Sequence, residues 1–405
     1  MLQKATRQHT RDHNSRLILQ AIYDAGEISR ADLARQTHLT RTTVSDVVSM
    51  LIEQGLIQEV GQARSSVGRT PTLLSMNDHA RHAIAVSITG RNLRGGVVNL
   101  RGSISHQCVQ PLESQDGPAV LEQLIAFISG LIDKGVGSLQ GIGISTPGLV
   151  DTLNGTVRRA VIFGWHDVPL RDLLQQRFQL PISLANDGHT IALAEYMFGQ
   201  HHRDNNLIAI KVGHGIGAGI VLDGQPFAGD LYGAGEVGHL VVEDNGLPCK
   251  CGNNGCLETV ASIPAIVHRA QLMAEHNPHS LLHRFATPHQ PISFEHVVAA
   301  WQAGDPALQQ AVNVVGRYLG IGVATMVTVL GIRRVVITGR ITPFGDTLRQ
   351  AILQEVRRRL LPTLAQTTQV EVVPERPEMV LLGAAALLLT SELGLTRLRP
   401  PAMVG

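Results

Sequence analysis

Three of the chain's four cysteines fall within "CKCGNNGCLE" (Cys249 to Glu258), and His239, in "GEVGH", lies ten residues before the first of them. Few features restrict a fold as strongly. Three thiolates and one imidazole are the closed Cys3His set of a structural zinc site, and one ion would tie four points of a long loop together. Gly252 and Gly255 allow the tight turns that let the sulfurs converge. A redox pair is disfavoured, because C-x-C lacks the helix-capped C-x-x-C arrangement. The start, "MLQKATRQHTRDHNSR", is polar and basic with no apolar stretch, so the chain is expected in the cytoplasm, where thiols stay reduced. We therefore expect structural Zn2+ held by His239, Cys249, Cys251 and Cys256, and read the distant Cys108 as a small core residue.

With 405 residues the chain is too long for one core, and two or three domains are expected. Residues 15–75 read as a unit. "SRLILQAIYDAG" places Leu17, Ile18, Ala21, Ile22 and Ala25 at helical spacing and stops at Gly26. Ser29 with Asp32 three residues on begins a second helix. Thr40 caps a third, in which Val44, Val47, Val48, Leu51 and Ile52 make one apolar stripe. "LIQEV" and "TLLSM" are strand candidates around the polar loop "GQARSSVGRTP". Three helices and a hairpin with a basic loop describe a winged helix-turn-helix.

Beyond Asn77 strands and helices alternate, with glycine at the turns, which predicts an α/β fold. "HAIAVSITGRNLRGGVVNLRGSIS" reads as two strands around a glycine-rich turn, and "LIAIKVGHGIGAGIVLDGQPF" repeats that arrangement. The repetition implies two related lobes with a cleft between them. The longest apolar run, Leu319 to Ile332, is shorter than the roughly 20 residues a bilayer span needs, so it reads as a buried helix, and no membrane insertion is expected. Aromatic residues make up only 3% of the chain, which disfavours a stacking platform for single-stranded nucleic acid.

Two acids flank the thiol loop: Glu236 three residues before His239, and Glu258 two after Cys256. A structural zinc needs neither. Carboxylates and an imidazole held rigidly beside a metal loop make a grip for sugar hydroxyls, with the free ring nitrogen of His239 in want of a partner. "GEVGH" followed by C-x-C-G-x-x-G-C-L-E, with "STPGLVDTLNG" (Ser145 to Gly155) and "NDG" (Asn186 to Gly188), resembles the signature of the ROK family of repressors, open reading frames and kinases. The resemblance implies an actin-like, hexokinase-like fold of two lobes with a sugar between them. It gives sugar-contact roles to Asn186, Asp187, Glu236, His239 and Glu258. The expected domains are 1–77 (winged helix-turn-helix), 78–200 (first lobe) and 201–405 (second lobe, with the zinc loop), the C-terminal helix packing back on the first lobe.

In the family's kinases Asp187 would be the general base. The phosphate loops depart from the kinase pattern. Where D-x-G-G-T is usual the chain has "SITGR" (Ser87 to Arg91), and where G-T-G is usual it has Gly213-His214-Gly215. Phosphoryl transfer rests on positioning and neutralising phosphates, so these losses argue against catalysis. A place where the family often has Asn holds Val161, in "AVIFGW". The amino-terminal unit resembles that of the family's repressors, and "GRTP" (Gly68 to Pro71) resembles their linker. The expected function is a sugar-responsive repressor of carbohydrate genes, not an enzyme; the alternative is an ATP-dependent sugar kinase with an added DNA-binding domain.

For operator DNA, Arg41, Thr42, Thr43, Ser45 and Asp46 face away from the apolar stripe and suit the major groove. Arg30 and Arg35 are expected on phosphates, and Arg64 and Arg69 on the wing, with Arg69 suited to a narrow minor groove. Residues 1–80 hold nine Lys/Arg against eight Asp/Glu, so useful affinity requires two half-sites and hence a homodimer or homotetramer. The effector is a sugar or sugar phosphate, and the resemblance allows a sequestering protein partner.

Overall fold

The computed structural model describes residues 7–62, 71–134, 137–199, 205–285 and 291–394. The chain divides into two compact units, Met1–Asn186 with Val380–Gly405, and Asp187–Met379.

The first unit begins with α1 (Arg7–Ala25), β1 (Glu27–Ser29), α2 (Arg30–Thr37), α3 (Arg41–Glu53), β2 (Ile57–Gln62) and β3 (Thr72–Met76). Ser29 accepts the Asp32 N–H and caps α2, and Thr40 accepts the Thr43 N–H and caps α3. Between the two helices His38 adopts a left-handed conformation (φ 56°), which makes the sharp turn. Val44, Val47, Val48 and Leu51 are buried as the periodicity predicts. The three short strands pair antiparallel in the order β1-β3-β2, completing a winged helix-turn-helix. The wing positions Arg64 and Arg69 lie outside the described residues.

The rest of this unit comprises β4 (His82–Ile88), β5 (Asn92–Asn99), β6 (Ile104–Pro111), α4 (Gly117–Ile132), β7 (Leu139–Thr146), β8 (Leu149–Asp151), β9 (Thr156–Ala160), β10 (Trp165–Val168), α5 (Leu170–Phe178) and β11 (Ile182–Asn186). The second unit runs through α6 (Asp187–Phe198), β12 (Leu207–Val212), β13 (Ile216–Leu222), β14 (Gln225–Pro226), α7 (Leu257–Ala261), α8 (Ile263–Glu275), α9 (Phe294–Gln302), α10 (Pro306–Leu330), β15 (Arg334–Thr338), α11 (Gly345–Arg359), α12 (Pro362–Thr367) and β16 (Gln369–Val372), and the chain returns to the first with α13 (Met379–Leu393).

The repetition read from the glycine turns extends to whole sheets. One is ordered β11-β7-β4-β5-β6 and the other β16-β15-β12-β13-β14, the same winding from first strand to fifth. In both, the first two strands are antiparallel and the fourth and fifth run parallel to the first. This is the duplicated actin-like architecture. Each sheet has its own core, around Ile84, Val86, Leu124 and Ile144 in one and Ile210, Val323, Ile337 and Ile352 in the other. Helix α10 is long and apolar enough to cross a membrane, but 61% of its most apolar window is buried within the fold. Helix α13 lies so close to β7 that a Cβ at Gly143 would sit 1.9 Å from the Ala384 carbonyl oxygen, so only glycine fits there.

Two expectations are corrected. The first glycine-turn segment carries a third strand, β6, because the chain turns back at Gly102 (φ 85°). Cys108 is not a core residue: it is exposed on β6, the sheet edge, where little packs against it.

Candidate functional site

The 3-10 turn Val237–His239 and the N-terminus of α7 bring the metal-type residues together. The ligand atoms of His239, Cys249, Cys251 and Cys256 all lie within 4.8 Å of one another. Cys251 Sγ is 3.6 Å from Cys256 Sγ, and Cys249 Sγ is 3.6 Å from His239 Nδ1. A tetrahedral zinc with ordinary Zn–S and Zn–N bonds has edges of about 3.8 Å between sulfurs and about 3.6 Å between sulfur and nitrogen. The donor set and its spacing therefore fit zinc. Burial, then the neighbouring thiols, pushes the Cys256 thiol up to about 12, a cost of crowding that a bound cation reverses. Val242 N–H donates to the Gly255 carbonyl and Cys249 N–H to the Asn253 carbonyl, which fold the loop back on itself.

The imidazole of His239 faces two ways. Nδ1 points to the thiols, and Nε2 lies 3.8 Å from Glu236 Oε2. A metal on Nδ1 leaves the proton on Nε2, directed at that acid. Burial raises the Glu236 carboxyl above the ordinary carboxylate range; His239 opposes the rise, and the nearby carboxylates of Asp187 and Glu258 add to it. Those three acids and His239 thus share one electrostatic neighbourhood.

Glu258 is held by the β12–β13 turn. Its Oε2 accepts the Ile216 N–H at 3.0 Å, its Oε1 lies 3.1 Å from Lys250 Nζ, and a Cβ at Gly215 would sit 2.5 Å from Oε2. Asp187 opens α6, with Lys211 Nζ 3.5 Å from its carboxylate. Asn186 ends β11, and its side-chain amide donates to the Gly148 carbonyl at 2.7 Å. Buried His189 places Nε2 2.8 Å from the Ala234 carbonyl, and burial depresses its basicity.

Lys211 and Lys250 escaped the sequence reading. The only signal for Lys211 is a lone cation in an otherwise apolar strand; for Lys250 it is its place between two metal-type cysteines. Their partners are 24 and 8 residues away and become visible only in the fold.

Both turns that the resemblance sets at phosphate loops are braced by hydrogen bonds. In the first, the Thr89 hydroxyl accepts the Asn92 N–H and donates to the Asn92 carbonyl, and a Cβ at Gly90 would sit 2.2 Å from Ile162 Cδ1. Ser87 is buried in β4. In the second, the Gly213 N–H donates to the Gly215 carbonyl and the Ile216 N–H to Glu258. Val161 is exposed in the turn before β10.

On the winged helix, Arg41, Thr42, Ser45 and Asp46 are exposed on one side of α3. Thr43 is half-buried, its hydroxyl 2.9 Å from that of Thr40. Arg30 pairs with Glu59 of β2 at 2.8 Å, and Arg35 pairs with Asp32 within α2, so neither cation is without an acid.

A model described as ROK family matches residues 83–391, and one for a winged helix-turn-helix DNA-binding domain matches residues 11–58. The chain belongs to the ROK family. Among ROK relatives it is similar to a xylose repressor of Caldicellulosiruptor bescii, 29% identical over 94% of this chain and 96% of that one. It is also similar to a glucokinase of Halalkalibacterium halodurans, 33% identical over 70% of this chain and 88% of that one. A crystal structure of a ROK family transcriptional regulator, a homologue of the E. coli Mlc protein, superposes with a TM-score of 0.85 at 28% identity, covering 96% of this chain and 98% of that chain. The repressor and the regulator extend over the amino-terminal helix-turn-helix as well as the actin-like fold.

Proposed function

We propose that this chain is a sugar-responsive transcriptional repressor. One observation carries the reading: a winged helix with an exposed polar recognition face is joined, in one chain, to an acid and histidine cluster beside a zinc-type loop, while both phosphate-loop positions depart from the kinase pattern. Residues 1–77 contact operator DNA through Arg41, Thr42, Thr43 and Ser45, supported by Arg30, Arg35, Arg64 and Arg69. The effector, a sugar or sugar phosphate, is held by Asn186, Asp187, Glu236, His239 and Glu258. Zn2+ bound by His239, Cys249, Cys251 and Cys256 fixes the His239 ring and the start of α7, which carries Glu258. The protein acts in the cytoplasm as a homodimer or homotetramer and does not turn over ATP; a sequestering protein partner is a further route of control.

The chemistry follows from the atoms. A sugar hydroxyl can donate to a carboxylate of Asp187, Glu236 or Glu258 and accept from His239 Nε2–H, with no phosphoryl donor involved. Similarity to a glucokinase supports a second reading, a sugar kinase with Asp187 as base. Two assays separate them. Operator affinity is measured by titration at fixed salt, with and without each sugar of a panel chosen by thermal shift, and ADP release is measured with the same sugars. Operator binding altered by one sugar, without ADP release, supports the repressor. ADP release with no operator binding replaces it with the kinase.

A further inference from the structure

The winged helix meets the β4–β7 sheet through a joint centred on one arginine. Arg101 stands in the tight turn between β5 and β6. Buried Asn99 fixes that turn: its Oδ1 accepts the N–H groups of Arg101 and Ser103 at 3.0 and 2.9 Å, and Gly102 completes it with φ 85°. From this rigid mount the guanidinium reaches two other segments. Its Nη1 donates to the Tyr23 carbonyl oxygen at 2.7 Å, and its carbon lies 4.6 Å from the Tyr23 ring centre. Its Nε donates to Asp78 Oδ1 at 3.2 Å. Tyr23 is in the last turn of α1, where carbonyls have no helical partner and a cation is favoured. Asp78 lies two residues beyond β3, and its carbonyl oxygen accepts the Leu100 N–H at 3.1 Å. Around this centre the Asn77 amide donates to the Gly55 carbonyl at 3.0 Å, and Arg81 Nη2 to the Gln54 carbonyl at 3.3 Å, both just beyond the recognition helix.

An isolated surface ion pair would be worth little. This arrangement differs in geometry, not in count. One planar group uses its fork on a carboxylate and a helix-end carbonyl and its face on an aromatic ring, so it fixes direction as well as distance. The side chain is 28% exposed, which leaves the contact partly desolvated. Helix α1 packs on α2 and α3, so the orientation set at Tyr23 is the orientation of the recognition helix.

We infer that Arg101 is the positioning residue through which the actin-like fold sets the orientation of the winged helix, so that the effector's influence on operator affinity passes through the Tyr23–Arg101–Asp78 joint. The second clause rests on the repressor reading above; the first does not. With the joint broken, the winged helix stays folded and the effector still binds, but the two no longer report on each other. Lysine at 101 keeps the charge at the end of α1 but loses the fork and the flat face, so it restores only part of the coupling.

The test uses the full chain and two readouts. Spin labels on S49C, exposed on α3, and on the exposed native Cys108 of β6 are introduced into zinc-loaded protein, so that the loop thiols are held, and diluted with unlabelled chain, so that distances within one protomer are read for wild type, R101A and R101K. Expected is one narrow distribution for wild type, a clearly broader one for R101A and an intermediate width for R101K, with an unchanged helical circular-dichroism signal. Operator titration with and without the responding sugar then gives the coupling. A ratio of ordinary allosteric size, about 5–150-fold, falls below about twofold in R101A while sugar affinity measured without DNA is retained. An R101A distribution as narrow as wild type overturns the joint, whatever the sugar does. A broadened distribution with an unchanged ratio overturns the coupling. A wild type that answers to no sugar removes the repressor reading and the coupling with it, and leaves the joint standing on the distance measurement alone.

Discussion

Glu258 should hold the β12–β13 turn in place as well as face the effector, and the two roles separate by substitution. In Glu258→Ala the N–H of Ile216, a residue 4% exposed, loses its acceptor. Leaving a buried donor unsatisfied costs about 1–3 kcal/mol. The Lys250 pair adds little, because the lysine side chain is 71% exposed and exposed pairs are worth about 0–1 kcal/mol. The expected loss is therefore about 1–4 kcal/mol, or roughly 2–16 °C in the melting temperature of a unit the size of Asp187–Met379. Glu258→Gln keeps an acceptor for Ile216 and should lose under about 1 kcal/mol, since a neutral bond replaces a charge-assisted one. Lys250→Ala should stay within the same limit. Differential scanning calorimetry of the zinc-saturated proteins reads all three. If Glu258→Ala melts with wild type, or if Lys250→Ala costs as much as Glu258→Ala, the turn is not held by this carboxylate.

Other expectations follow from the same geometry. Cys251→Ser should abolish stoichiometric zinc by elemental analysis and lower the melting temperature; wild-type protein purified without metal at about one ion per chain contradicts the site. Arg41→Ala should weaken operator binding by about 1–3 kcal/mol in a gel-shift titration, and no change removes the assigned recognition face. Burial raises the Glu195 carboxyl above its ordinary range, against the pull of Arg376 at 4.0 Å, so its charge opposes folding once pH exceeds the raised value and is relieved as pH falls toward the unfolded one. Glu195→Gln should thus melt above wild type at about pH 8, with the gain shrinking toward about pH 5; a gain that grows on acidification reverses the sign.

Much of this was legible because it is local. Ser29 with Asp32, Thr40 before Val44, and His239 ahead of three cysteines are patterns of spacing, and spacing survives without a fold. The duplicated sheets could be read from two glycine turns flanked by apolar runs, since each run supplies the first two strands of its own sheet. What escaped depends on residues far apart in sequence. Lys211 meets Asp187 only when β12 lies beside α6, and Arg101 meets Tyr23 across 78 residues. Cys108 is misplaced when residue type alone stands for burial, because its strand is a sheet edge with most of its residues exposed. Arg30 reads as a free cation in sequence, and the hairpin brings Glu59 to it.

A ROK fold that binds sugar to control DNA and a ROK fold that phosphorylates sugar make different demands on one residue. Asp187 decides the matter, because a kinase needs it as base and a repressor needs it only as an acceptor. Its carboxylate lies 3.5 Å from Lys211 Nζ, so it already faces a hydrogen-bond donor. The measurement is a paired titration of wild type and Asp187→Asn: operator affinity without sugar, then the sugar concentration that half-changes it. Asparagine still offers a neutral acceptor, so only the charge assistance is lost, about 1 kcal/mol, and the half-change concentration should rise about fivefold while sugar-free operator affinity stays the same. A variant that answers sugar as wild type does, or ATP consumption by wild type that disappears in the variant, contradicts the account.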